Sequence, residues 1–73
     1  MRLFELDVGA HARVTAVHQT GAAALRLREL GLYAGECVAC VGVSPLGDPR
    51  AYRICGAVIA LRRRDAALVE VEP

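Results

Sequence analysis

The sequence predicts a mainly β fold, a small closed or nearly closed barrel of about five short strands with one short helix inserted between the first two. Segments rich in β-branched or alternating apolar residues recur along the chain and are separated by turn residues, which is the pattern of short strands. One stretch, residues 22–30, is instead rich in helix formers. The 73 residues suffice for a single domain, and closing the sheet would remove exposed strand edges.

The first part of the chain predicts an N-terminal arm and a first strand. Leu3, Phe4 and Leu6 provide apolar anchors before a turn at residues 7–9, so this arm is expected to pack against the core. Residues 12–17 alternate loosely and are rich in β-branched side chains, which predicts the first strand.

The inserted helix is predicted to begin near Ala22, after Thr20 as its N-cap residue, and no capping box follows. Gly31 stands where a left-handed C′ residue is needed, because glycine has no Cβ that would clash at positive φ. Leu32 would then be C″ and would contact Leu27, as in a Schellman ending.

The second strand is predicted at residues 36–43 and the loop after it at 44–49, where two prolines and a glycine prevent regular structure. Strand alternation places Val38 and Cys40 on one face. The opposite face is expected to carry Cys37, Ala39 and Val41.

The remaining chain predicts a hairpin and a closing strand. Residues 51–55 and 57–61 are strand-like and flank Gly56, which suits a tight turn. Residues 62–65 are a charged break, and residues 68–71 alternate again and predict the last strand.

Composition limits the classes of function. The net charge of +1 and the presence of only two tyrosines and one phenylalanine disfavour a nucleic-acid-binding protein. No window is apolar enough to span a membrane, so direct membrane insertion is not expected. Acidic residues near the start replace the apolar run of a signal peptide, and three cysteines do not suit a disulfide framework, so we expect a cytoplasmic protein.

Cys37 and Cys40 have the C-x-x-C spacing, and Cys55 with His11 or His18 would complete four metal ligands. On a strand, however, an odd offset sends the two sulfurs to opposite faces. We therefore expect small buried or surface cysteines and no intrinsic cofactor, and a divalent metal (Fe²⁺ or Zn²⁺) would be adventitious or regulatory. No nucleophile–base pattern or phosphate loop is present, so we predict that the protein is not an enzyme.

The arginines allow two interpretations. Arg26 and Arg28 lie on the helix and Arg62–Arg64 follow a strand, so folding can gather them into one basic face suited to an acidic protein surface. Alternatively, they form a solvated charge run paired with Asp65 and Glu29.

The sequence resembles the FeoA family of small cytosolic proteins of bacterial ferrous iron uptake over about residues 3–71. The resemblance is carried by Arg26-Leu27, Glu29-Leu30-Gly31-Leu32, Gly35, Pro45-Leu46-Gly47-Asp48-Pro49, Gly56 and Ala60-Leu61-Arg62-Arg63. It implies an SH3-like β-barrel with an inserted helix. It also implies a partner, FeoB, a membrane Fe(II) transporter with a cytosolic GTPase domain, which would hold the protein at the inner face of the membrane.

We expect the partner to contact the helix, its exit, the proline-rich loop and the arginine run. The predicted contact residues are Arg26, Leu32, Tyr33, Leu46, Asp48, Arg62 and Arg63. For Asp48 the alternative is turn chemistry, since aspartate before proline favours a turn. Two alternative functions remain: a metal-handling protein that uses the cysteines and histidines, and a regulatory module like that at the C-terminus of metal-dependent repressors. In addition, an exposed strand edge would allow a weak homodimer.

Overall fold

Five antiparallel strands form one sheet in the computed structural model, which describes residues 1–73. The strands are β1 (His11–Val17), β2 (Cys37–Val43), β3 (Arg50–Ile54), β4 (Ala57–Leu61) and β5 (Val69–Glu72). They lie in the order β4-β3-β2-β1-β5. All five predicted strands are present, and their ends differ from the predicted ones by one residue at most.

Three helical segments accompany the sheet: α1 (Gly21–Glu29), α2 (Arg63–Ala66) and a 3-10 turn (Leu3–Glu5). The predicted helix is α1, and Thr20 is its N-cap residue by backbone conformation, although its side chain makes no capping hydrogen bond. The prediction of a mere charged break at residues 62–65 missed α2, because four residues are too few to show a helical period. Neither helix has the length and apolarity that crossing a bilayer demands.

Helix α1 ends as the sequence predicts. Gly31 has φ +96°, the left-handed conformation. The Leu32 N–H donates to the Leu27 carbonyl at 2.9 Å, and the Gly31 N–H donates to the Arg28 carbonyl at 3.0 Å, which together make a Schellman motif. The turn after the helix is therefore rigidly tied to its last residues.

The expected closure of the barrel is wrong, because β4 and β5 remain the two edges of the sheet. Residues 1 and 2 occupy the outer edge of β5 instead. Arg2 bridges to Glu70, and the Val71 N–H donates to the Met1 carbonyl at 2.8 Å. The segment that contains α2 lies between β4 and β5 in the chain, so these strands do not form the hairpin that would favour their pairing.

The core consists of fourteen buried residues contributed by every strand and both helices. Alternation is followed closely in β2, where Val38 and Cys40 are buried and Cys37 is exposed. The N-terminal arm is also packed as predicted, with Leu3 and Leu6 buried. Leu3 and Leu6 share one core with Val38 and Cys40 of β2, so burial of these side chains holds the arm against the sheet.

Two side chains of β3 hold the arm in place. The Arg50 guanidinium donates to the Phe4 carbonyl and, at 2.9 Å, to the Leu6 carbonyl. The Tyr52 hydroxyl is fully buried and lies 3.4 Å from the Leu3 carbonyl, and this burial raises its pKa to about 12. Tyr52 therefore stays a neutral hydrogen-bond donor across the physiological pH range.

Candidate docking surface

A groove of about 450 Å³ lies between α1 and β4 and is bounded at one end by α2. Its apolar lining comes chiefly from Leu27, Leu30, Ile59 and Leu61. Leu27 and Leu61 belong to the core, and Leu30 and Ile59 pack against that core while half-buried. The floor of the groove is therefore formed by side chains that belong to the hydrophobic core or pack directly against it.

Three exposed arginines surround this apolar lining: Arg26 from α1, Arg62 immediately before α2, and Arg64 within α2. None of them forms an ion pair, so the pairing with Asp65 and Glu29 that the alternative included is absent, while all three guanidinium groups remain exposed to solvent. Arg62 follows Arg26 by 36 positions in the sequence, and only folding brings them to one groove. The predicted basic face is present for these three arginines, whereas Arg28 does not line the groove.

A glutamine ties the start of α1 to α2, the helix that bounds the groove at one end. The Gln19 side chain, just before α1, donates from Nε2 to the Asp65 carbonyl of α2 at 2.7 Å. Sequence reasoning did not single out Gln19 or Ile59, and it included Arg64 only as part of the arginine run and not among the predicted contact residues. Only the alternation that pairs Ile59 with Leu61 on one face of β4 offered a signal for one of them.

Asp48 and Arg63 lie together at the start of α2, away from the groove lining, and both make contacts within the fold. The Asp48 carboxylate accepts from the Arg63 backbone N–H at 2.8 Å, at the start of α2. The Arg63 guanidinium lies 4.4 Å from the centre of the Phe4 ring. Asp48 is therefore a helix cap from a distant loop, and Arg63 covers the N-terminal arm through a cation–π contact.

Leu46 and Tyr33 are the exposed apolar side chains among the predicted contacts. Leu46, at the tip of the proline-rich loop, is 94% exposed, and Tyr33, at the exit of α1, is 42% exposed. A hydrogen bond to Glu36, together with the charge of that carboxylate, raises the pKa of Tyr33. A leucine so fully exposed contributes no buried apolar area to the stability of the free chain. Its exposure suits a contact with a partner.

The structure corrects the prediction for Leu32. This residue is 1% exposed and belongs to the core, because the Schellman turn directs it back toward Leu27. Its side chain cannot reach a partner in the folded state. Leu32 is therefore a structural residue and not part of a docking surface.

The cysteines and histidines that were candidate metal ligands are dispersed. Cys37 and Cys40 lie on opposite faces of β2, and the His18 Nε2 lies 2.6 Å from a Glu70 carboxylate oxygen. Cys55 is placed elsewhere, in the β3–β4 turn, where partial desolvation and a hydrogen bond to Glu36 raise the pKa of its thiol. No three histidine, cysteine or acidic side chains converge to hold an ion, so these residues do not fit a metal centre.

Comparison with known protein families identifies the family of this chain. The model of the FeoA domain matches residues 1–73, the whole chain. The chain belongs to the FeoA family. The resemblance seen in the Leu-Gly-Leu and Pro-Leu-Gly-Asp-Pro segments is thereby confirmed.

A relative in Porphyromonas gingivalis is 42% identical over 72 residues and is described as a fusion of Fe(2+) transport protein A with the Fe(2+) transporter FeoB. The match covers 99% of this chain but only 8% of that relative. This chain thus corresponds to a small part of the fusion protein, the part that carries the FeoA family fold.

Solved structures confirm the predicted architecture. Iron(II) transport protein A of Clostridium thermocellum is 39% identical with a TM-score of 0.94, and the match covers 99% of this chain and 44% of that one. FeoA of Stenotrophomonas maltophilia is 37% identical with a TM-score of 0.86, over 99% of this chain and 89% of that one. That protein is described as a prokaryotic SH3 domain protein complexed with zinc and suggested to be a ferrous iron transport activating factor. The predicted mainly β, SH3-like fold is therefore confirmed.

Proposed function

We propose that this FeoA-family chain is a non-enzymatic module that docks on an FeoB-type Fe(II) transporter and modulates ferrous iron uptake. The observation that carries the proposal is the relative in which an FeoA part and FeoB share one polypeptide. Fusion keeps two domains at a high effective concentration, which favours a contact even when it is weak. A chain that is separate from the transporter would make the same contact by binding.

The exposed side chains of this chain support such docking. Arginine and tyrosine are frequent at the energetic centres of protein interfaces, and a protruding leucine can fill a pocket on a partner. The proposed contacts are Arg26, Tyr33, Leu46, Asp48, Arg62 and Arg63, with Asp48 and Arg63 acting chiefly by holding α2 in place. Docking would place the module at the cytoplasmic face of the membrane.

A bound divalent metal has a secondary place in this proposal. Zinc accompanies the Stenotrophomonas maltophilia protein, whereas the candidate ligands of this chain do not converge. Fe²⁺ is the cargo of the transporter, and any ion on the module itself would be adventitious or regulatory. The metal content of protein purified without added metal tests this, and stoichiometric metal lost in a Cys37→Ser variant would contradict it.

Titration of the full chain against its cognate FeoB in nanodiscs tests the docking. Two titrations are needed, one with GDP and one with a non-hydrolysable GTP analogue, because a difference between them would indicate regulation by nucleotide state. We expect saturable binding that Leu46→Ala weakens by about tenfold, since truncation of an interface anchor costs on the order of 1–2 kcal/mol.

Val8→Ala is the matched control, because Val8 is also an exposed aliphatic residue but lies in the turn before β1. It should bind like the wild-type chain. Absence of binding in both nucleotide states would contradict the proposed function. Equal binding by Leu46→Ala and wild type would leave docking intact and remove Leu46 from the contact.

A further inference from the structure

We propose that the partner contributes an extended acidic segment that adds as a further strand to the free edge of β4, beside the groove. This inference rests on the proposed docking and names where on the module, and by what chemistry, the partner is held. Strand addition obtains affinity from main-chain hydrogen bonds and specificity from side chains that enter adjacent pockets.

The two edges of the sheet differ. The outer edge of β5 is occupied by Met1 and Arg2, through the hydrogen bonds between Met1 and Val71 and the bridge from Arg2 to Glu70. The outer edge of β4 has no such cover. None of the backbone hydrogen bonds outside the regular elements, and none of the side-chain hydrogen bonds to the backbone, involves residues 57–61.

The free donors and acceptors of β4 can be assigned from the hairpin. Ile54 and Ala57 flank a two-residue turn, so they form a hydrogen-bonded pair, and such pairs alternate along an antiparallel ladder. Ile59 is therefore also paired with β3. The N–H and carbonyl groups of Val58 and Ala60 point the other way, toward the uncovered edge.

The edge also lacks the usual protection against pairing. Uncovered edge strands in proteins commonly carry a lysine, a proline or a bulge that discourages another strand. β4 reads Ala-Val-Ile-Ala-Leu, without a charged residue or proline, and its ladder with β3 runs without a bulge. Such an edge is a site where another strand is expected to add.

The groove continues from this edge. Ile59, Ala60 and Leu61 all line it, although consecutive side chains of a strand point to opposite faces. The groove must therefore run along the side of β4. A strand added there would place alternate side chains over the apolar lining formed by Leu27 and Leu30.

The charge of the groove indicates what kind of segment would bind there. Arg26, Arg62 and Arg64 line the groove without an ion pair, against one lining acid, Asp65. A segment with acidic residues beside its apolar ones would satisfy these guanidinium groups. A second copy of this chain would bring the same arginines to the same edge, so repulsion disfavours a β4-to-β4 homodimer.

Variants in the FeoB nanodisc assay test the edge and the charges separately. Ala60→Pro removes an outward N–H without breaking the ladder to β3, and we expect about a three- to tenfold loss of affinity. Ala60→Thr keeps that N–H and is the matched control. Arg62→Glu combined with Arg64→Glu should weaken binding by at least about tenfold, whereas Arg53→Glu, on the opposite face of the sheet, should not.

A transporter-independent measurement separates this inference from the proposed function. An end-capped peptide of alternating glutamate and valine is titrated into the ¹⁵N-labelled full chain, with a lysine–valine peptide as control. We expect saturable shifts of the Val58 and Ala60 amides with the acidic peptide alone. If the Val58 and Ala60 amide resonances shift only with protein concentration and not with peptide, the edge pairs with a second copy of the chain. That result would overturn the inference.

The outcomes of the two assays are distinguishable. Transporter binding that is indifferent to the edge and charge variants would overturn the strand addition and leave the docking module standing. Peptide shifts at Val58 and Ala60 without any binding of FeoB would overturn the proposed function and assign the edge to another acidic partner.

Discussion

At the scale of single residues, Gly31 connects the helix to the hairpin. Its φ is +96°, and a Cβ at this position would lie 2.7 Å from the Cys55 Sγ. Glycine is thus required for two reasons, the left-handed backbone of the Schellman turn and the close approach of the β3–β4 turn. Cys55 itself has φ +52°, so both partners of this contact have left-handed backbones.

We expect Gly31→Ala to lower the free energy of unfolding by about 1–3 kcal/mol, because backbone strain and the contact with Cys55 add. Urea denaturation measures this change. Gly47→Ala is the control, since Gly47 has φ +87° but nothing within 4 Å of an added Cβ. Adding Cys55→Ala to Gly31→Ala should recover part of the loss, and a double variant as unstable as the single one would contradict the contact.

At the scale of elements, α1 is the least firmly held part of the fold. Leu27 is its only buried residue, and the helix faces β4 across the groove rather than packing closely on it. The Schellman turn and the hydrogen bond from Gln19 hold its two ends. One wall of the proposed docking groove can therefore adjust while the sheet stays fixed.

Hydrogen exchange should show the α1 amides opening at a lower free energy than those of β2 and β3, which are central in the sheet. Leu27→Ala should increase exchange in α1 most and cost about 2–4 kcal/mol of stability. Leu25→Ala, at a residue 58% exposed, should stay within about 0.5 kcal/mol. Equal protection of α1 and β2 would show that the helix is an integral layer of the core.

At the scale of the whole molecule, the Glu70 carboxylate of β5 contacts both the N-terminal segment and the residue that follows β1. Glu70 on β5 accepts a hydrogen bond from His18 after β1 and lies 3.9 Å from the Arg2 guanidinium. The hydrogen bond from His18, followed by the charge of Arg2, lowers the pKa of Glu70 below its ordinary value of 4.5. The contact between Arg2 and β5 therefore includes the charge of Glu70, beside the backbone hydrogen bonds of Met1 with Val71.

Because the folded-state pKa is lowered, the stabilisation from Glu70 is fully present above pH 4.5 and is lost as pH falls through the folded value. We expect Glu70→Gln to melt below the wild-type chain near neutral pH and the two melting temperatures to converge in acid. Glu72→Gln, at an exposed acid of the same strand, should show no such convergence. A gap between Glu70→Gln and wild type that is constant with pH would contradict the role of the Glu70 charge.

Local patterns in the sequence determined the five strands and α1, although not the short α2. Alternation placed Val38 and Cys40 in the core, and a glycine followed by leucine predicted the Schellman ending, because both depend on residues close in sequence. The family resemblance followed from the same short segments. Strand ends, helix ending and family could therefore be inferred without coordinates.

Tertiary structure alone decided which residues form the candidate site. Arg26 meets Arg62 only because α1 lies across from β4, and Leu32 is lost to the core because the turn carries it inward. Residues 1 and 2 cover the β5 edge through pairing across nearly the whole chain, which leaves β4 as the uncovered edge. Contacts between segments so distant depend on the packing of the complete chain, and no local pattern encodes them.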